Sequence, residues 1–130
     1  MKKMLILLFC FVVFSSSAFS NDVEIVKVEF KKHGDVWRVN TTLKHEDTGW
    51  EHYADAWRIM SEEGEKLGER ILFHPHENEQ PFTRSLQKLV VPKGMHIVYV
   101  EAHDKKHGWS KQRVRVDLSA PKGDRYRVFN

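Results

Sequence analysis

The sequence predicts an all-β fold. Three observations carry this. Apolar and polar residues alternate with period two through most of the chain after residue 21. Turn residues recur every eight to twelve positions. No segment keeps an apolar stripe at the 3.6-residue spacing of a helix.

The strands follow in order. Asp22–Lys31 is the first, with Val26, Val28 and Phe30 on one face. His33-Gly34-Asp35 turns the chain into Val36–Lys44, where Trp37, Val39, Thr41 and Leu43 point inward and Arg38, Asn40 and Lys44 outward. His45–His52 (HEDTGWEH) is a loop. Tyr53–Ser61 is the third strand, with Trp57 and Ile59 inward, and Leu67–Phe73 the fourth. The stretch His74–Phe82 (HPHENEQPF) leaves the sheet because Pro75 and Pro81 cannot donate to a strand ladder. Phe82–Val91 and His96–Asp104 are the fifth and sixth strands, the latter with Val98, Val100 and Ala102 inward. Lys111–Ser119 is the seventh, with Val114, Val116 and Leu118 inward. The tail from Ala120 to Asn130 either adds a short edge strand or stays loose. Seven short strands in about 100 residues read as a single sandwich of the immunoglobulin or fibronectin-III type.

The ends of the chain set its compartment. Lys2 and Lys3 precede an apolar run, Met4–Phe14, and Ala18 and Ser20 place small residues before a cut after Ser20. This is the layout of a cleaved signal peptide, residues 1–20, and it predicts a periplasmic or secreted protein. The run is too short to span a bilayer comfortably. Bulky Leu8 and Phe9 ahead of Cys10 disfavour lipidation there. Cleavage leaves one domain, 21–119, followed by the tail at 120–130. It also removes the only cysteine, so disulfides and thiol chemistry are excluded. The formal charge of +3 falls to +1, because two of the 21 basic residues leave and 18 acidic ones stay. Both signs are interspersed, so the composition supports neither a nucleic-acid partner nor, after cleavage, a membrane.

Leu89–Val116 resembles the closing half of bacterial immunoglobulin-like modules: a strand, a Pro-Lys-Gly corner, a Val-x-Val-x-Ala-x-Asp strand, a glycine-containing loop and a last strand. In that frame Asp104 is expected to bond loop backbone. More widely, GWEHYADAW, HPHENEQPFTRSL and HDKKHGW are similar to segments of a family of small secreted bacterial proteins of unassigned function. That resemblance implies kinship and no activity.

Topology gathers the histidines. In an antiparallel sandwich the loops after the second, fourth and sixth strands lie at one end. His45, His52, His74, His76, His103 and His107 map there, and only His33 and His96 map to the other. Imidazole nitrogen with a completing carboxylate suits copper or zinc. His74 and His76, stiffened by Pro75, with His107, are the first expected ligands, completed by His52, Glu79 or His103. The competing reading is a polar loop surface whose histidines have no task. Trp37 and Trp57 are expected in the core. Trp50 and Trp109 either lid the end of the core or grip a protein or glycan partner. Asp55 is expected to face inward and to need a partner, either Arg84, a histidine ring or loop backbone. No nucleophile elbow accompanies the Pro-Phe-Thr-Arg-Ser segment, so a catalytic assignment is not made and an enzymatic role is not required. Three functions follow in order: a metal-binding protein, an adhesive or assembly module using the same loops, and a hydrolase with His and Glu as acid and base.

Overall fold

The structure, a computed structural model, describes residues 22–130. The predicted signal peptide lies outside the described residues. Ten strands form: β1 Glu24–His33, β2 Val36–Lys44, β3 Ala54–Ser61, β4 Lys66–Ile71, β5 Phe82–Leu89, β6 Ile97–Asp104, β7 Gly108–Trp109, β8 Val114–Asp117, β9 Lys122–Gly123 and β10 Tyr126–Phe129. They make two five-stranded sheets packed as a sandwich. One runs β5-β2-β1-β10-β9; the other runs β4-β3-β6, with β7 and β8 both on the far side of β6.

The all-β expectation holds, but the count is ten strands among the described residues rather than seven. Two causes account for the difference. The expected seventh strand, Lys111–Ser119, shortens to β8, and the loop before it supplies the extra strand β7; between them four residues, Ser110–Arg113, lie opposite only Glu101 and Ala102 of β6. The surplus breaks the ladder into β7 and β8. The tail supplies β9 and β10, and β10 pairs in parallel with β1, between β1 and β9. A parallel partner about 100 residues away leaves no local signal in the sequence.

Alternation places the core. Trp37, Val39, Thr41 and Leu43 on β2, Trp57 and Ile59 on β3, Val98, Val100 and Ala102 on β6, and Val114 and Val116 on β8 are buried, as is Leu118 just beyond β8. Two irregularities shift the pattern. The β1 register slips between Ile25 and Lys27, so Ile25, Val28 and Phe30 are buried and Val26 is not fully so. On β3, Asp55 and Ala56 together oppose His103, which turns Asp55 to the outer face beside that histidine, instead of inward.

The sheets approach closely at Gly68 on β4. A Cβ there would sit 2.8 Å from methyl carbons of both Leu86 and Leu89. Both are ends of side chains that can give way, so Gly68→Ala is expected to cost about 1–3 kcal/mol, read as a lower denaturant midpoint at unchanged slope.

Candidate metal centre

Strand β2 ends at Lys44 and leads directly into His45 and Asp47. The loop returns through His52 to β3. Strand β6 runs inward-facing through Val98, Val100 and Ala102, and the same alternation brings Asp104 inward at its end, with no exposed surface. The tight turn that follows carries His107. Antiparallel pairing of β3 with β6 brings these pieces together.

Three imidazoles converge on one carboxylate oxygen. Asp104 Oδ2 accepts from His45 Nε2 at 2.9 Å, His52 Nε2 at 2.8 Å and His107 Nδ1 at 3.0 Å. Asp104 Oδ1 accepts the amides of Lys106 (2.7 Å) and His107 (3.3 Å). The expectation that Asp104 bonds loop backbone is met by that oxygen alone. The rings meet edge to face, His45 with His52 at 5.0 Å and His52 with His107 at 4.9 Å. His45 Nδ1 also donates to Asp47 Oδ1 at 2.6 Å. Ionised carboxylates only accept, so a His45 ring bonded at both nitrogens carries both protons and lies as a cation between two buried anions. Among the described residues, one set of ligand atoms fits a shared ion: His45, His52 and Asp104, all within 4.8 Å of one another.

The electrostatics follow from burial set against hydrogen bonding. Burial raises the pKa of Asp104, but the bonds from His107, from the Lys106 amide and from His52 outweigh it and hold the carboxyl well below the usual range. Asp47 behaves alike. Burial raises it, and the His45 ring with the His76 and Ala54 amides brings it below its ordinary 3.8. His76 is lowered from 6.5 by burial first, then by neighbouring Arg84 and His74.

The pH dependence of stability has a definite sign. Depressed carboxyls contribute stability above their unfolded value, lost as pH falls through the folded one. A depressed histidine is protonated first in the unfolded chain, so its contribution is complete above 6.5 and shrinks below it. Acidification is therefore expected to lower the urea midpoint steeply below pH 3.8; nearer neutrality the His76 contribution is opposed by the cationic His45, whose charge the two carboxylates favour. A midpoint constant from about pH 5 to 2 would contradict the carboxylate stage.

Not every expected ligand reaches the cluster. His52 and His107 do. His45, counted among the six clustered histidines but not among the expected ligands, is the most deeply placed. His76 is buried one layer behind, its amide donating to Asp47 Oδ2 at 2.7 Å and its ring stacked on Phe82 at 4.0 Å. His74 is exposed and its Nδ1 donates to the carbonyl of Pro75. Glu79 is exposed and lies 3.7 Å from Arg84. His103 faces the opposite side of β6 from Asp104, where its Nδ1 bonds Asp55. Neither loop backbone nor Arg84 takes that carboxylate. Arg84 instead donates to His76 Nε2 and to the Thr83 carbonyl. Trp50 is 63% exposed, and the Lys105 ammonium holds its carbonyl. Trp109 does not lid the core: it lies on the outer face, with the Arg58 guanidinium 3.6 Å above its ring. One signal could have found Asp104 as the hub. The Val-x-Val-x-Ala-x-Asp alternation puts a carboxylate on the buried face, where it needs several donors.

Among known proteins, the chain is 42% identical over 81 residues to a protein of Halomicrobium mukohataei named "Putative lipoprotein". The match covers 62% of this chain and 39% of that protein, so the chain spans well under half its relative's length. No protein-family model matches, and no solved structure does. A match of that coverage establishes a distant relative without a family.

Proposed function

We propose that this chain is an exported β-sandwich protein that binds one divalent transition metal ion, copper or zinc, through His45, His52, His107 and Asp104. The observation that carries this reading is the convergence of three imidazole nitrogens, each within 3.0 Å, on one buried carboxylate oxygen. Nitrogen and oxygen donors without thiolate suit these ions. His45 and Asp104 form the closed floor, while His52 and His107 are partly exposed and give an ion its way in. Export is supported by the leader pattern and by the relative's name. The order β5-β2-β1 packed against β4-β3-β6 supports the immunoglobulin or fibronectin-III reading.

Titration of the untagged mature protein with zinc and with copper(II) tests the function. One equivalent is expected to bind with a submicromolar Kd, more weakly toward about pH 5 as protons compete for imidazole. Absence of binding would reject the reading. It would favour the second one, a module gripping a protein or glycan through exposed Trp50, the only one of the two loop tryptophans whose ring is free of a stacked arginine.

A further inference from the structure

We propose that Asp47, His76 and Arg84 are positioning residues, a chain that holds His45 in one orientation and keeps His76 from acting as a ligand. For its effect on affinity this rests on the metal reading above. Its structural half is readable without metal.

The chain starts at Arg84. Its Nη2 lies 2.8 Å from His76 Nε2. A guanidinium only donates, so Nε2 must accept and the His76 proton sits on Nδ1. An ion at Nε2 would have to displace Arg84. An ion at Nδ1 would push the proton to Nε2, against the Arg84 donors. Both ring nitrogens are therefore barred while Arg84 is in place. Stacking on Phe82, with ring planes 10° apart, fixes the ring further.

Next comes Asp47. His76 Nδ1 is buried, makes no hydrogen bond, and lies 3.9 Å from Asp47 Oδ2. The His76 amide donates to that same oxygen at 2.7 Å, and the Ala54 amide donates to Oδ1 at 3.0 Å. Held by the β4–β5 loop through one oxygen and by the first residue of β3 through the other, the carboxylate turns Oδ1 to His45. His45 Nδ1–H points into it, and Nε2 is thereby aimed at Asp104. Gln80 ties the two histidines' backbones together, accepting from the His45 amide at 3.0 Å and donating to the His76 carbonyl at 2.9 Å. The segment His74–Phe82 thus serves the site through an amide, a carbonyl and one glutamine, and its rings stay out of the ligand set. Carboxylates behind a metal-bound histidine fix its tautomer and basicity, and their loss costs about 10–100-fold in affinity.

Nitrogen-15 NMR of the metal-free protein reads the first half. His76 is expected as the neutral Nδ1–H tautomer; the Nε2–H tautomer would overturn the Arg84 lock. Arg84→Met is expected to release a mixture of tautomers, and Arg84→Lys, which still donates, to restore one. Unchanged tautomers in Arg84→Met would also overturn the lock. Zinc and copper(II) titrations read the second half. Asp47→Asn is expected to bind about 10–100-fold more weakly and Arg84→Met about tenfold more weakly, with Arg84→Lys near wild type. Wild-type affinity in Asp47→Asn, folded by circular dichroism, would overturn the positioning role. Should Asp47→Asn not fold, wild-type affinity in Arg84→Met would do so. A wild-type protein that binds no metal rejects the metal reading instead, and the chain is then judged on the tautomers alone.

Discussion

Asp104→Ala is expected to destabilise the protein by about 3–5 kcal/mol and to abolish metal binding. The carboxylate is fully buried and accepts three imidazole and two amide donors. Removing it leaves His45 facing an empty space with a charge balanced only by Asp47, and strips the Lys106 amide of its partner. Losing one side of a buried charge pair costs far more than the pair contributes, because the remaining charge stays desolvated. Chemical denaturation checks the stability, and titration of any folded fraction checks the binding. A loss under about 1 kcal/mol would mean that the imidazoles find other acceptors and that Asp104 is not the hub.

The double variant His52→Ala, His107→Ala is expected to separate binding from folding. These are the partly exposed rings of the cluster, and without them Asp104 still keeps His45 and both turn amides. Stability is expected to fall by about 1–3 kcal/mol. Affinity is expected to collapse. Zinc sites with four protein donors reach about 10–16 kcal/mol, near 3 kcal/mol per donor, so each lost imidazole weakens binding about 100-fold. Calorimetry with zinc and copper(II) decides. Binding that survives in the double variant, but is lost in His74→Ala, His76→Ala, would move the site to the β4–β5 segment and reject the ligand set proposed here.

Much of the scaffold was legible in the residues. Period-two alternation identified the inward faces of β2, β3, β6 and β8, because a half-buried strand needs apolar groups at every second position. The reversal of direction at each turn also placed the histidine-bearing loops together. Other parts were not legible. A bulge changes which side chain faces inward without changing composition, and so Asp55 was expected to face inward. The β10 pairing with β1 joins chain ends that share no local pattern.

The ligand set shows the same division. The sequence by itself determined that imidazoles would gather at one end of an all-β chain, since strand length and turn position decide which loops are neighbours. Only the tertiary structure decided which of them meet. His74 and His76 looked strongest because they are adjacent in sequence, yet Arg84 and Phe82 take the His76 ring and solvent takes His74. Asp104 drew no attention as a ligand because its donors come from 59, 52 and 3 residues away. Convergence on one atom depends on side-chain direction and on ångström-scale distances, which register and packing fix and which spacing along a chain does not encode.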